Sequence, residues 1–432
     1  MKKISAFLIL LMILNICTVC FAFEMPETVK IGLFYGSAAK DTITISNEVG
    51  VQLYDGENLV ATSPEFTFSV NGDGKLTTTS SDTTYIISGD ALLKVEKGYI
   101  AVNSKKYRGS VLLKVDKNKK ITVINDVNIE EYLYSVLPKE MSTGFPFEAL
   151  KAQAVCARTY TACNMGKFKE HGFDLTDNTL SQVYGGVSVE ADDCTKAVNE
   201  TKGMIVTYNG KPAETFYYAS SSGNTLDVKD VWGSTTYPYL ISVPDTYQSV
   251  IYPNGYTWEV SYTADEVTKL MKDKGYTLGK ILDITIDKTT PQGAVTSLTF
   301  TGEHSSKTFT LGNTRTVLNL KSQVFKITKE YAETNNQTTF MTNKGLISTS
   351  NEGYVLSAKA IKKAIEMYTL SASGISKLPT AAPQKSVSKI TVKGSGYGHG
   401  IGMSQNGAKG MAKSGFKYND IITHYFPGCV VE

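Results

Sequence analysis

The sequence predicts an α+β fold, rich in strand, with a central alanine-rich helix that bears an active-site loop at its start and with no parallel doubly wound sheet. Three observations predict it. Residues 24–125 alternate apolar and polar side chains in short runs punctuated by Gly, Asn and Asp, as half-buried strands do. The stretch YSVLPKEMSTGFPFEALKAQAVCARTYTACN, Tyr134 to Asn164, departs from that habit and turns alanine-rich. The composition, 25 Tyr and 36 Gly in 432 residues, suits strands, turns and polar ligands.

The first element is an export segment. Lys2 and Lys3 precede an apolar run from Ile4 to Phe23, with Ala22 at the expected cut, so residues 1–22 have the form of a signal peptide. Only Ser5, Asn15 and Thr18 interrupt the run, which makes residues 4–23 almost long enough for a membrane anchor. Either way the expected location is extracytoplasmic: secreted, or anchored to the outer face of the membrane at the cell wall. Neither Cys17 nor Cys20 follows the small residue that a lipoprotein signal needs.

A β-rich region is expected over 23–125, and a single larger core over 126–432. In the core, VNIEEYLYSVLPKEM reads as a short helix or turn feeding Glu140. The alanine-rich helix is expected from about Pro146 to Lys167, with Pro146 in its first turn and Thr143 or Ser142 capping it. Leu150, Ala154, Ala157 and Thr161 form one stripe, small enough for another element to approach closely. VEADDCTKAVNETKG is a second helical pattern ending at Gly203, and TADEVTKLMKDKG a third. Hairpins are expected at ILDITIDKTTPQGAVTSLTFTG and SKTFTLGN. A polar stretch near 331–388, containing YVLSAKAIKKAIEMY, reads as an insertion. The C-terminus reads as a strand, a glycine loop and two helices.

Several function classes drop out. A net charge of +3 is too small for a nucleic-acid binder, which concentrates basic residues on one face. GSGYGHGIG is no dinucleotide loop, because His399 or Ile401 stands where the third Gly of GxGxxG belongs. The four His make no zinc cluster by spacing, and no CxxC pair exists. Cys156, Cys163, Cys194 and Cys429 lie beyond the signal, and four cysteines allow three pairings. The SxxK of a serine acyl-enzyme occurs at Ser37–Lys40 and again at Ser386, but no KTG accompanies it and SAAK falls between strands.

Glu140 is then the residue of interest. Ahead of a helix, a carboxylate often serves the helix dipole. Its neighbours Leu137, Pro138, Met141 and Phe145 would instead desolvate it, raising its pKa and making it a usable general acid.

LPKEMSTGFPFEALKAQAVCARTYT resembles the signature of the stage II sporulation protein D family, related to the LytB amidase-enhancer proteins. FDLTDNTLSQVYGG, TFYYASSSGNTLDVKDVWG, PYLISVPD and GSGYGHGIGMSQNGAKGMAKSG…HYFPG match it in order, so the resemblance runs from about 125 to 432. It implies a peptidoglycan lytic transglycosylase, acting on glycan strands stripped of their peptides, beside an amidase, during forespore engulfment. It makes Glu140 the catalytic acid and requires no cofactor. It places Gln153, Arg158, Ser181, Gln182, Tyr184, Ser221, Ser222, His399, Ser404 and Gln405 at a sugar groove, where each is equally plausible as a buried structural residue. Asp174 and Asp177 rank as shapers of the cleft. Two departures stand out. Some members carry a metal pattern of the form LCDTTHCQVY; here Thr176, Leu180 and Ser181 replace its Cys, His and Cys, so no metal is expected. Asn224 stands where many relatives have His. The rival reading is a wall-binding module that enhances an amidase without cutting.

Overall fold

The computed structural model describes residues 23, 25–80, 82–333 and 385–432, together with the backbone of short strand pairs between 338 and 377. The expected signal or anchor lies outside the described residues. No described helix is long and apolar enough to cross a membrane. The chain forms two compact units.

The first unit comprises residues up to Val228, Thr235–Asn254 and Gly400–Glu432. Its main sheet has eleven strands. They are β1 (Thr28–Phe34), β2 (Thr42–Asp55), β3 (Asn58–Val70), β4 (Leu76–Ser80), β5 (Thr83–Ile86), β6 (Ala91–Val95), β7 (Ile100–Val102), β8 (Lys105–Tyr107), β9 (Ser110–Val115), β10 (Ile121–Asn128) and β11 (Leu175–Thr176). The path is β11-β1-β10-β9-β6-β2-β3-β4-β5, with β7 and β8 paired off β2. All pairings are antiparallel except β1 with β11. The alternation is visible in burial: Ile43, Ile45, Val51, Leu53, Phe66 and Phe68 are all buried. The α+β, β-rich class is therefore observed.

Helix α1 (Ile129–Glu140) follows β10 directly. Asn128 caps it by accepting the Glu130 N–H, and Ile129, Tyr132, Leu133, Val136 and Leu137 bury one face. Helix α2 spans Phe147–Cys163, shorter than expected at both ends. Pro146 stands just before it rather than in its first turn, and no side chain caps it. At the far end the Asn164 side chain turns back to the Tyr160 carbonyl (3.0 Å), and Gly166 takes a left-handed φ of +74° that ends the helix. Alanines on several sides let neighbours pack around α2, and the stripe Leu150, Ala154, Ala157 and Thr161 is fully buried. Helix α3 (Asp192–Glu200) packs against both α1 and α2.

The second unit comprises Lys229–Ser234 and Gly255–His399. Strand Lys385–Ser395 lies between Thr257–Thr263 and Val324–Glu333, and Ile281–Thr289, Val295–Gly302 and Ser306–Thr310 form a second sheet. Helix α4 (Ala264–Asp273) carries a capping box, Thr263 with Glu266. Trp258, Val267, Met271, Ile284, Leu298 and Phe300 form the core. Glu333 pairs with Lys385, so the polar stretch 334–384 leaves and re-enters this sheet at adjacent positions.

Candidate active site

Glu140 is the last residue of α1. The helix stops there because Met141 turns extended, with φ −128°, and the Met141 N–H closes on the Leu137 carbonyl at 2.9 Å. Leu137 and Met141 are fully buried, and Glu140 itself is half-buried. Burial raises its carboxyl pKa above the usual range, while Gln405 and the Tyr217 hydroxyl oppose that rise by favouring the charged form. The two contacts differ in quality. Gln405 Nε2 approaches the carboxylate but completes no hydrogen bond of good geometry among the described residues.

Tyr217 is oriented from behind. Gln182 is buried, and its Nε2 donates to the Ala157 carbonyl (3.3 Å) and to the Tyr217 oxygen (3.1 Å). A carbonyl can only accept, so Ala157 fixes which end of the Gln182 amide faces Tyr217. Gln182 Oε1 accepts in turn from Thr161 (3.0 Å) and Tyr132 (3.4 Å). With its oxygen accepting the Gln182 N–H, the Tyr217 hydroxyl directs its own O–H to Glu140. Burial, with Glu140 second, holds the Tyr217 pKa well above the ordinary phenol value, so it stays a donor.

Two distant segments must meet to build this. Tyr217–Tyr218 and Met403–Ser404 form a short parallel pair, with Tyr217 opposite Met403. The pair closes because residue 402 is Gly: it has φ +75°, and any side chain there would strike the Phe216 carbonyl. Ser404 then caps helix α5 (Gln405–Lys413), its Oγ accepting the Gly407 N–H at 3.1 Å. Gln405 thus sits in the first turn of α5, one residue past the pair, and like Tyr217 it reaches Glu140. Helix α6 (Tyr418–Tyr425) completes the unit.

Other acidic and aromatic groups gather nearby. Tyr160, pushed up to about 12 by burial, feels Glu214 and then Glu140. Glu214 is itself raised by burial, against the pull of Asn164 and Lys167. Tyr160, Phe216 and Tyr237 follow one another with ring centroids 6.3 and 6.1 Å apart, all half-exposed. Asp177 is raised by burial and drawn down by Lys105 of β8.

The structure sorts the expected site residues. Glu140 and Gln405 meet, and Gln182 supports them through Tyr217. Arg158 is fully buried and forms a fork with Glu130 (2.9 and 2.6 Å), so it braces α1 against α2 instead of facing a groove. Gln153 is fully buried on α2, and neither of its polar side-chain atoms has a partner among the described residues. Tyr184 is buried and donates to Asn125 (2.9 Å). Ser221 is buried, its N–H held by Gln248 (2.8 Å), whereas Ser222 is half-exposed. Ser404 is the cap described above. His399 belongs to the second unit, 5.2 Å from Trp232 between ring centroids. Asp174 staples backbone, accepting from Gly166 and Lys30 N–H groups (3.0 and 2.9 Å). Thr176 and Ser181 are bonded to each other (3.2 Å) and Leu180 is exposed. Ser37 is exposed, and Lys40 lies over the Phe34 ring at 4.5 Å. The four cysteines are free thiols. Sequence reasoning missed Tyr217, Tyr160 and Glu214; the only signal was their place within or beside the matched segments.

Comparison with known proteins bears on this geometry. Residues 117–208, which hold Glu140 and Gln182, match the model of the SpoIID family, described as stage II sporulation protein. The chain carries a SpoIID domain. It is similar to the "Amidase enhancer" of Bacillus subtilis, 32% identical over 307 residues, covering 68% of this chain and 39% of that protein. An uncharacterized protein of Brachyspira hyodysenteriae is 39% identical over 140 residues, covering 32% of this chain and 38% of its own length. The "Stage II sporulation protein D" of Bacillus subtilis is 27% identical over 328 residues, 72% of this chain and 76% of that protein. The chain thus spans about two fifths of the length of the first two relatives.

Proposed function

We propose that this SpoIID-domain protein is a peptidoglycan lytic transglycosylase, cutting between N-acetylmuramic acid and N-acetylglucosamine in peptide-stripped strands, outside the cytoplasm. The observation that carries the reading is Glu140: a half-buried carboxyl with a raised pKa, faced by an oriented phenol. Burial raises the pKa, the direction that a general acid needs. Glu140 gives that proton to the glycosidic oxygen as its bond to muramic C1 breaks. The Tyr217 hydrogen bond then stabilises the carboxylate just formed. The carboxylate takes the proton of the muramic C6 hydroxyl, and that oxygen closes on C1. Glu140 ends protonated, no water is consumed, and a 1,6-anhydro end results. One carboxylate serves twice, whereas hydrolysis uses two. The half-exposed rings of Tyr160, Phe216 and Tyr237 suit sugar faces. Wall remodelling in forespore engulfment is the setting we assign.

A second reading has its own support. The amidase-enhancer relative favours a binding protein that stimulates an amidase partner without cutting. Digestion of peptide-free glycan by the purified chain separates the two: anhydro ends support cutting, and amidase stimulation without new ends supports binding.

A further inference from the structure

Asp245, the last residue of PYLISVPD, is an acid in the interior of the first unit, only 1% exposed. Its backbone is fixed, the N–H donating to the Gly223 carbonyl at 2.9 Å. Its Oδ1 accepts the hydroxyl of Tyr425, on α6, at 2.8 Å. Both carboxyl oxygens lie against Gly407, the third residue of α5, where any Cβ would collide with them and with Tyr425 Oη. Gly410, one turn further on, likewise admits the Tyr247 carbonyl. Two glycines on one face of α5 thus let the 245–247 segment press directly on the helix. Asp245 Oδ2 has no partner among the described residues and faces the first turn of α5, the positive end of that helix. A buried acceptor left unpaired costs stability, so an apolar residue would fill this space at less cost. What the carboxyl adds is direction, through one bond to α6 and a close fit to α5. Its phenol neighbours are Tyr218 and Tyr425. Burial, with Asp245 second, holds both well above the ordinary phenol range, so they stay protonated. His424 Nε2 meets the adjoining Pro244 carbonyl at 2.8 Å.

This seat lies beneath the groups that meet Glu140. Gly407 gives its N–H to Ser404, Ser404 pairs with Tyr218, and the residues beside those two, Gln405 and Tyr217, reach the carboxyl. We propose that Asp245 is a positioning residue for Glu140: with Tyr425 it seats the first turn of α5, and so holds Gln405 and the Tyr217–Met403 pair against the carboxyl. Its importance for turnover rests on the reading of Glu140 above; the seat itself does not.

The test follows the Glu140 carboxyl directly, by carbon-13 NMR of chain labelled at its glutamate side chains, with the signal assigned by its loss in Glu140→Gln. Gln405 and Tyr217 favour the charged carboxyl, so loosening them should raise its titration midpoint. Asp245→Ala should raise it by about 0.5 or more in pH, and Tyr425→Phe, which removes only the bond to Oδ1, by less. Asp245→Asn keeps the shape and an acceptor for Tyr425, and should stay near the parent. A role for Asp245 through its charge alone predicts the opposite sign, a midpoint lowered in both Asp245→Ala and Asp245→Asn. A midpoint unmoved or lowered in Asp245→Ala would overturn the proposal. If that variant fails to fold, Tyr425→Phe decides, and a midpoint equal to the parent's overturns it. The same proteins are assayed on peptide-stripped glycan, where kcat should fall about tenfold in Asp245→Ala with KM near parental and recover in Asp245→Asn. Anhydro ends from the parent with an unmoved midpoint sink the seat alone. A raised midpoint with no anhydro ends from the parent supports the seat and sinks the transglycosylase alone.

Discussion

The Tyr217 hydroxyl faces the Glu140 carboxylate while its oxygen accepts from Gln182 Nε2 at 3.1 Å. The phenol therefore has one direction left for its proton. It favours the ionised carboxylate, against the larger effect of burial. A residue so placed tunes how long Glu140 stays an acid as pH rises, and it assists the base half of the cycle.

Tyr217→Phe removes the phenol proton that favours the ionised carboxylate. The Glu140 pKa should rise further, so the alkaline limb of kcat/KM moves to higher pH while kcat falls about tenfold or more. A pH–rate profile reads both. Gln182→Leu should move the limb the same way by a smaller amount, because the phenol stays but is free to turn.

Glu140 also affects stability. Its folded-state pKa is raised, so the stability associated with the neutral carboxyl is present below the unfolded-state value and lost as pH rises through the folded-state value. Glu140→Gln removes that loss. Thermal melts should show the variant more stable than the parent at about pH 8, and the two converging near about pH 4. Equal melts at about pH 8 would mean that burial does not strain this carboxyl.

Arg158 is fully buried and Glu130 is 12% exposed at its side chain, 2.6 Å apart. Arg158→Met strands the carboxylate, and the expected cost is about 3–5 kcal/mol. Denaturant midpoints should fall accordingly, while KM for glycan stays constant in the folded fraction. A KM effect with unchanged stability would instead return Arg158 to the groove.

Gly402→Ala places a Cβ at φ +75° against the Phe216 carbonyl. A cost of about 1–3 kcal/mol is expected from strain. The pair that sets Tyr217 beside Gln405 opens with it, so kcat should drop on the order of tenfold or more at temperatures where the variant remains folded. Circular dichroism beside the rate assay separates the two effects.

Helix α2, just past Glu140, was legible because an alanine-rich run is hard to mistake among strands. Helix α4 was legible because its pattern, TADEVTKLMKDKG, is complete within one local stretch. Arg158, Gln153, Ser404 and Tyr184 suited a sugar groove and a structural interior equally in the sequence, and all four are buried. Their chemistry could not decide: a buried Arg paired with Glu130, or a Ser capping α5, has the same letters as a sugar ligand. Tyr217 was invisible for another reason. Its role depends on a two-residue parallel pair with Met403, and no local pattern encodes a contact made so far along the chain. His399 folds in the second unit with Trp232, a pairing that no local pattern encodes.

The most direct test of the central claim is the chemistry of the ends. The soluble chain, from about Phe23 onward, and its Glu140→Gln variant are incubated with peptide-stripped glycan strands and the products weighed by mass spectrometry. The account predicts 1,6-anhydro-muramic ends from the parent and a fall of about a hundredfold or more in the variant. Ends heavier by one water would contradict it, pointing to hydrolysis with a second carboxylate, Glu214 or Asp177. Undiminished anhydro ends from the Glu140→Gln chain would remove Glu140 from the mechanism altogether.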